Sequence, residues 1–382
     1  MNAFWKRLAF SFCALLAVVV VNSANAQQVV APALAAKSWI LLESASGQFL
    51  TSEKPDEKLE PASLTKLMTA YLTFTALRQK TLALEQTVPV SEKAWRTGGS
   101  KMFIRVGHLV PVEDLIKGMI VQSGNDACVA LAEAIAGSEE AFALQMNREA
   151  ARLGMKQTRF KNATGLPDAE HLTTARDLAT LASALIRDFP EEYARYYSIK
   201  EFRYSNITQP NRNRLLWLDP GVDGMKTGFT EAAGYCLISS AKRGERRLLS
   251  IVLGADSDQA RASESLKLLN WGFQFFDAVK LYPAEQAASE FKVWKGEQNK
   301  VKAGFVRDFV LAVPKASSDK LQAELVSRQP LIAPVQKGQV IGTLRLTLEG
   351  KAYGEYPVEA LEDVGRGNWF YRLLDTIRLW FA

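Results

Sequence analysis

Histidine is nearly missing from this chain: of 382 residues only His108 and His171. Neither lies near a Gly-x-Ser-x-Gly elbow, and the chain contains no such elbow. A hydrolase built on a Ser-His-Asp triad therefore does not fit. Cysteine is scarce too, at positions 13, 128 and 236. Two separated histidines and so few cysteines match no metal-ligand spacing, so neither a metal nor any other cofactor is expected. Long apolar runs are lacking except for Leu8 to Val21, which is too short to span a bilayer comfortably. Charge of one sign is not massed anywhere. The 47 basic and 41 acidic residues give a net charge of +6, with no Lys/Arg block and no basic stripe interleaved with aromatics. That argues against a nucleic-acid partner. A mildly basic surface facing an anionic envelope polymer or membrane fits better.

The first residues read as an export signal. Lys6 and Arg7 precede the apolar run, and Ala24-Asn25-Ala26 is a small-x-small cleavage site. Residues 1–26 are thus a signal peptide, and the mature chain begins at Gln27. Cys13 would leave with the signal. Cys128 and Cys236 sit among apolar residues and are expected to be buried free thiols, not a disulfide framework.

The remaining length suffices for one large domain and something smaller. Ser38 to Leu42 is a buried strand, Ala45-Ser-Gly47 a turn, and Gln48 to Thr51 the return strand of a hairpin. Leu64 to Gln79 carries apolar residues at helical spacing, with Pro61 and Ser63 at its start. Helical periods dominate from 113 to 188, broken by the loop Asn162 to Asp168. Strands follow at 201–204, 235–238 and 248–253, then a helix from Ala262 to Phe276. Strands at both ends with helices between them predict an α/β layer architecture in which the first strands pair with the last. Past Leu281-Tyr-Pro283 the pattern changes to short β runs, including Phe309 to Val313 and Val340 to Leu348. This predicts a catalytic domain over 27–282 and a small β-sandwich-like domain over 283–365. In the tail, 366–382, Trp369, Phe370, Leu373, Leu374, Ile377, Trp380 and Phe381 share one helical face. Arg372, Asp375, Thr376 and Arg378 lie opposite. Such a helix is suited to lie in a membrane interface.

Three short motifs carry the chemistry: Ser63-Leu-Thr-Lys66, Ser123-Gly-Asn125 and Lys226-Thr-Gly228. Ser-x-x-Lys alone says little, because three further matches begin at Ser239, Ser289 and Ser317. Only Ser63 opens a strong apolar helix, where one turn places Ser63 and Lys66 on one face. A serine hydroxyl is a poor nucleophile until a neighbouring base takes its proton. Lysine can be that base if burial or a second cation, such as Lys226, lowers its pKa. Ser123 falls between helices; its hydroxyl can relay protons, and the Asn125 amide can hold a substrate carbonyl and the lysine together. Lys226-Thr-Gly228 precedes Phe229 and a strand at Tyr235. Lys226 and Thr227 can bind a carboxylate, and Gly228 allows close approach of a ligand backbone. The three together supply the parts for acyl transfer through a covalent serine ester.

This motif set resembles that of the low-molecular-mass penicillin-binding proteins, the D-alanyl-D-alanine carboxypeptidases similar to penicillin-binding protein 5. The resemblance runs from about residue 37 to the end and includes Asn211-Arg-Asn213, Val222 to Gly228 and Trp271-Gly-Phe273. It implies the serine β-lactamase/penicillin-binding-protein-like fold with a helical subdomain. The implied reaction removes the terminal D-alanine from peptidoglycan stem peptides, with β-lactam antibiotics as covalent inhibitors. In it Ser63 attacks the penultimate carbonyl, Lys66 is general base, and Ser123 relays a proton to the departing amine. Asn125 orients the substrate. Lys226 and Thr227 hold the terminal carboxylate with help from Arg261. The backbone N–H groups of Ser63 and Phe229 form an oxyanion hole. Location in the periplasm, attached by the tail helix to the inner membrane, is implied as well. Phe229 departs from the histidine often found at its place, which alters pocket polarity. A β-lactamase, a D,D-endopeptidase and a non-catalytic peptidoglycan-binding scaffold are the alternatives. The Glu-x-x-Leu-Asn deacylation segment of class A β-lactamases is absent from the sequence, and the intact Ser63, Lys66 and Lys226 argue against a dead site.

Overall fold

The computed structural model describes residues 29–380, so the proposed signal segment and Phe381 lie outside it. A five-stranded antiparallel sheet forms the centre. Its spatial order is Phe49–Glu53, Ser38–Glu43, Arg246–Ala255, Gly234–Arg243, Val222–Thr230. The first strand pairs with Arg246–Ala255 from Ser38↔Leu253 to Glu43↔Leu248. The expected closure of the chain's start on its end is thus present. Alternation divides the strands between two faces. Ile40, Leu42, Leu249 and Ile251 join the main helical core. Leu41 and Leu248 meet Gly272 of the helix Asp258–Phe275 on the other side.

The helical part comprises Lys66–Arg78, Val112–Val121, Asn125–Ala136, Glu139–Leu153, Ala175–Asp188 and Pro190–Tyr196. Their ends follow local rules. Ser138 and Thr174 accept from Ala141 N and Asp177 N as N-caps. Gly137 and Gly154 end their helices at φ of +82° and +83°, where a side chain would be strained.

Lys226-Thr-Gly228 does not lead into a strand. It lies inside one, Val222–Thr230, paired with Gly234–Arg243. Small residues permit this. A Cβ on Gly224 would meet the Tyr193 hydroxyl at 2.4 Å, and one on Gly228 would meet Ala62 Cβ and Pro61 O at 3.2 Å. Steric room, not apolar alternation, defines this strand.

The C-terminal part is a second β unit. Its five-stranded sheet has the order Ala287–Lys292, Lys300–Gly304, Lys351–Ala360, Val340–Leu348, Leu321–Ser327. Phe291, Val301, Leu344, Leu346 and Val358 fill its core with Leu311 and Val313. Phe276–Tyr282 pairs with Phe309–Pro314. This strand lies before residue 283, in the stretch that sequence reasoning left with the catalytic part. The tail helix is Trp369–Leu379, capped by the Asn368 side chain. Asp375 turns inward and accepts from Lys295 N at 2.7 Å, while Arg372 and Arg378 stay exposed. Trp369, Phe370, Leu373, Ile377 and Trp380 are all more than half exposed. Among the described residues no helix is long and apolar enough to cross a membrane.

Candidate active site

Ser63 sits in a 3-10 turn, Ala62–Thr65, that runs straight into the helix Lys66–Arg78. The turn is held from behind. Gly165 approaches so closely that a Cβ on it would lie 1.8 Å from Ala62 O. The short register from Ser63 to Lys66 brings Nζ to 2.9 Å from Ser63 Oγ. Two other acceptors complete the ammonium's shell, Asn125 Oδ1 at 2.7 Å and Thr164 O at 2.6 Å. Lys66 is wholly buried, and burial brings its pKa down to about 8 from 10.5. The Arg212 charge adds to that fall, while Asp126 opposes it. A buried amine with a pKa near ambient pH, hydrogen-bonded to a hydroxyl, can accept that hydroxyl's proton.

Ser123 occupies the link between two helices in a left-handed conformation, φ +66°. Its hydroxyl is buried in the cleft and has no partner among the described residues. Asn125 opens the next helix and bridges two walls: Oδ1 takes Lys66, and Nδ2 donates to Gly98 O at 2.7 Å. The following residue, Asp126, holds the second wall in place. Its fully buried carboxylate accepts from the backbone N–H of Met102, Phe103 and Ile104, besides Ala127. Sequence reasoning did not single out Asp126, because one acidic residue at a helix start is ordinary.

The strand Val222–Thr230 closes the other side. Lys226 is buried and donates to Thr227 O at 2.9 Å. Its pKa is pulled well below the usual lysine value by burial, then by the charges of Lys66, Arg212 and Arg261. Thr227, Gly228 and Phe229 line the same cleft as Ser63, Ser123 and Asn125. Ser63, Ser123, Asn125, Thr227, Gly228, Phe229 and Arg261 thus line one cleft of about 580 Å³, while the buried Lys66 and Lys226 stand behind that lining, hydrogen-bonded to Ser63 Oγ and Thr227 O. Arg261 is present but engaged. It donates to Gly228 O at 2.9 Å and pairs with Asp258. Its guanidinium thus supports the strand while its charge adds to the cleft. Arg212 also lines the cleft, with Nε on Gln122 O at 3.2 Å. It stands in the Asn211-Arg-Asn213 segment, but one arginine between two asparagines carries no chemistry by itself.

The histidines stay out of the reaction centre. His108 is exposed. His171 is buried behind the serine turn. Its Nδ1 accepts from Lys161 N, so Nε2–H donates to Thr65 Oγ1 at 2.9 Å. Burial lowers its pKa to about 4, keeping it neutral. Cys128 and Cys236 are buried free thiols, as expected. No cluster of metal-ligating side chains occurs among the described residues.

Comparison with known proteins agrees with this geometry. Residues 25–257 match the family described as D-alanyl-D-alanine carboxypeptidase, and residues 276–366 match the penicillin-binding protein 5 C-terminal domain. The chain is 44% identical over 363 residues to D-alanyl-D-alanine carboxypeptidase DacC of Escherichia coli, covering 93% of this chain and 90% of that one. It is 41% identical over 359 residues to DacA of the same organism, covering 92% and 89%. The crystal structure of penicillin binding protein 5 from Haemophilus influenzae superposes with a TM-score of 0.83 at 41% identity, covering 88% of this chain and 99% of that chain. Penicillin-binding protein D2 from Listeria monocytogenes, in its ampicillin-bound form, matches with a TM-score of 0.59 at 32% identity over 64% of this chain and 99% of its own. With its Ser63, Ser123 and Lys226 motifs meeting at one cleft, this chain belongs to the D-alanyl-D-alanine carboxypeptidase family, and it carries that family's penicillin-binding protein 5 C-terminal domain.

Proposed function

We propose that this protein is a serine-type D-Ala-D-Ala carboxypeptidase acting on peptidoglycan stem peptides. The observation that carries this reading is the buried Lys66 amine 2.9 Å from Ser63 Oγ, with a pKa near 8. Neutral Lys66 takes the Ser63 proton as Oγ attacks the carbonyl of the penultimate D-alanine. The oxyanion is met by backbone N–H groups of Ser63 and Phe229. Ser123 passes a proton to the departing D-alanine amine, and its unpartnered hydroxyl is free to do so. Lys226 and Thr227 hold the terminal carboxylate, with Arg261 adding charge from behind Gly228. Asn125 keeps Lys66 and the substrate in register. Water then cleaves the acyl-Ser63 ester. A β-lactam enters the same route and leaves a slowly hydrolysed ester on Ser63.

Intact mass after addition of benzylpenicillin tests the route. A persistent one-to-one adduct, with D-alanine released from a D-Ala-D-Ala peptide, is expected. Both should vanish in Ser63→Ala. Retained D-alanine release by that variant would sink the nucleophile assignment. A rapidly decaying adduct with drug consumption would favour a β-lactamase.

The tail helix supports a periplasmic enzyme attached to the outer face of the inner membrane. It presents its apolar face outward and tethers itself through Asp375. Aromatic side chains at the acyl boundary and arginines near anionic head groups suit such a contact. Flotation with anionic vesicles should therefore carry the mature protein, and deletion of residues 366–382 should abolish it. Equal flotation of both forms would exclude this attachment.

A further inference from the structure

The side chain of Phe229 has no part in the route above, yet it is a large apolar group placed in the cleft. It is 44% exposed and lines the cavity that holds Ser63. An aromatic ring left that open at a reaction centre meets either water or substrate. Its setting is rigid. Phe229 pairs across the strands with Tyr235, and their rings lie 4.3 Å apart between centroids. The Arg261 guanidinium packs over the Tyr235 ring at 5.5 Å and is itself fixed on Gly228 O and Asp258. Tyr235 thus contacts both Arg261 and Phe229, whose tilted ring stands at the cleft. Leu166 adds a second apolar side chain to the same cavity and is 37% exposed.

Strand geometry says which part of a substrate meets this plate. Thr227 and Phe229 are two residues apart, so they project from one face, roughly 7 Å apart along the strand. Thr227 lies at the carboxylate end in the proposed binding mode. Two residues further on, the Phe229 N–H meets the scissile carbonyl in that mode, so the Phe229 side chain stands where the acyl side begins. Ser63 lies between these positions, because Gly228 packs directly on the turn residues Pro61, Ala62 and Leu64.

We infer that Phe229, backed by Tyr235 and joined by Leu166, forms an apolar subsite for the acyl half of the substrate. It takes the aliphatic or aromatic portion of the group that precedes the D-Ala-D-Ala end. This rests on the carboxypeptidase reading and adds to it a basis for selectivity. The plate supplies no proton and no charge. It acts by removing the acyl-side methylenes or ring from water as the carbonyl approaches Ser63.

The test compares two peptides that differ only on the acyl side. One is diacetyl-lysyl-D-alanyl-D-alanine, with a long methylene chain. The other is acetyl-alanyl-D-alanyl-D-alanine, with a methyl. The ratio of their kcat/KM values is measured for the wild type, Phe229→Ala and Phe229→Leu. A hydrophobic contact of this size discriminates by about tenfold or more. The wild type should prefer the long peptide by that order. Phe229→Ala should bring the ratio close to one, and Phe229→Leu should restore most of it. Acylation by benzylpenicillin, which has an aromatic side chain, relative to 6-aminopenicillanic acid, which has none, should follow the same order. Ratios unchanged in Phe229→Ala would overturn the subsite while leaving the carboxypeptidase intact. Release of D-alanine from neither peptide by the wild type would overturn the underlying reaction and the subsite with it.

Discussion

Acylation of Ser63 should titrate with Lys66. Burial is the main cause that brings this amine from 10.5 to about 8, and the Arg212 charge adds to it. Only the neutral amine can accept the Ser63 proton. With a pKa near 8, about 1% of Lys66 is neutral at pH 6 and about half at pH 8. The second-order rate constant for acylation by benzylpenicillin should therefore rise about 50-fold over that interval and then level off. Lys226 must stay charged to hold a carboxylate, so loss of its proton opposes this rise. Burial and the Lys66 charge pull its pKa well below the usual value. The Lys66 charge makes the Lys226 proton easier to lose, so the two titrations are coupled. Quenched-flow acylation read by intact mass, from pH 5.5 to 9.5, would give the curve. Arg212→Gln removes a charge that lowers Lys66, so the rising limb should move to higher pH. A flat curve from pH 6 to 9, or a rise centred near 10.5, would refute Lys66 as the base.

Two further perturbations test the scaffold behind the cleft. Asp126→Asn exchanges one of two accepting oxygens for a donor facing backbone N–H groups, so buried amides lose their partner. Urea unfolding should show a loss of about 3 kcal/mol. Acylation should slow by about tenfold as the 98–104 wall loosens; unchanged values for both would show the carboxylate to be dispensable. His171 gives a pH effect on stability with a definite sign. Its folded pKa of about 4 lies below the unfolded 6.5, so the unfolded chain binds the extra proton. Its contribution is complete above pH 6.5 and is lost as pH falls to about 4, amounting to about 3 kcal/mol. Urea midpoints from pH 7 to 4 should show this slope, and His171→Gln should flatten it; an identical slope in that variant would assign the loss to other groups.

The large helices were legible because each carries its own period and its own caps, as Ser138 and Thr174 show. The catalytic side chains were legible because their motifs must keep fixed spacing to share one cleft. The strand that holds Lys226 was not, since room for Tyr193 and Ala62 demands glycine at 224 and 228 where a strand pattern would show branched residues. In the β domain, Leu321-Gln-Ala-Glu-Leu-Val-Ser327 has helix-forming composition yet pairs along its length with Val340–Leu348. Backbone partners leave no mark either: the Thr164 carbonyl on Lys66 and the amides around Asp126 are main-chain groups that no side-chain pattern records. Arg261 entered only through the family resemblance, and its hydrogen bond to Gly228 O depends on a chain crossing that no local pattern records.

The central sheet also sets the order of events as the chain folds. Ser38–Glu43, buried on both faces, waits for Arg246–Ala255, roughly 200 residues later, before its second edge is covered. Until then the helices between them have no floor to pack on. The catalytic cleft therefore depends on a pairing between segments far apart in the chain. A chain interrupted before Arg246–Ala255 would keep Val222–Thr230 and Gly234–Arg243 but lack the strand that joins them to Ser38–Glu43 in the sheet.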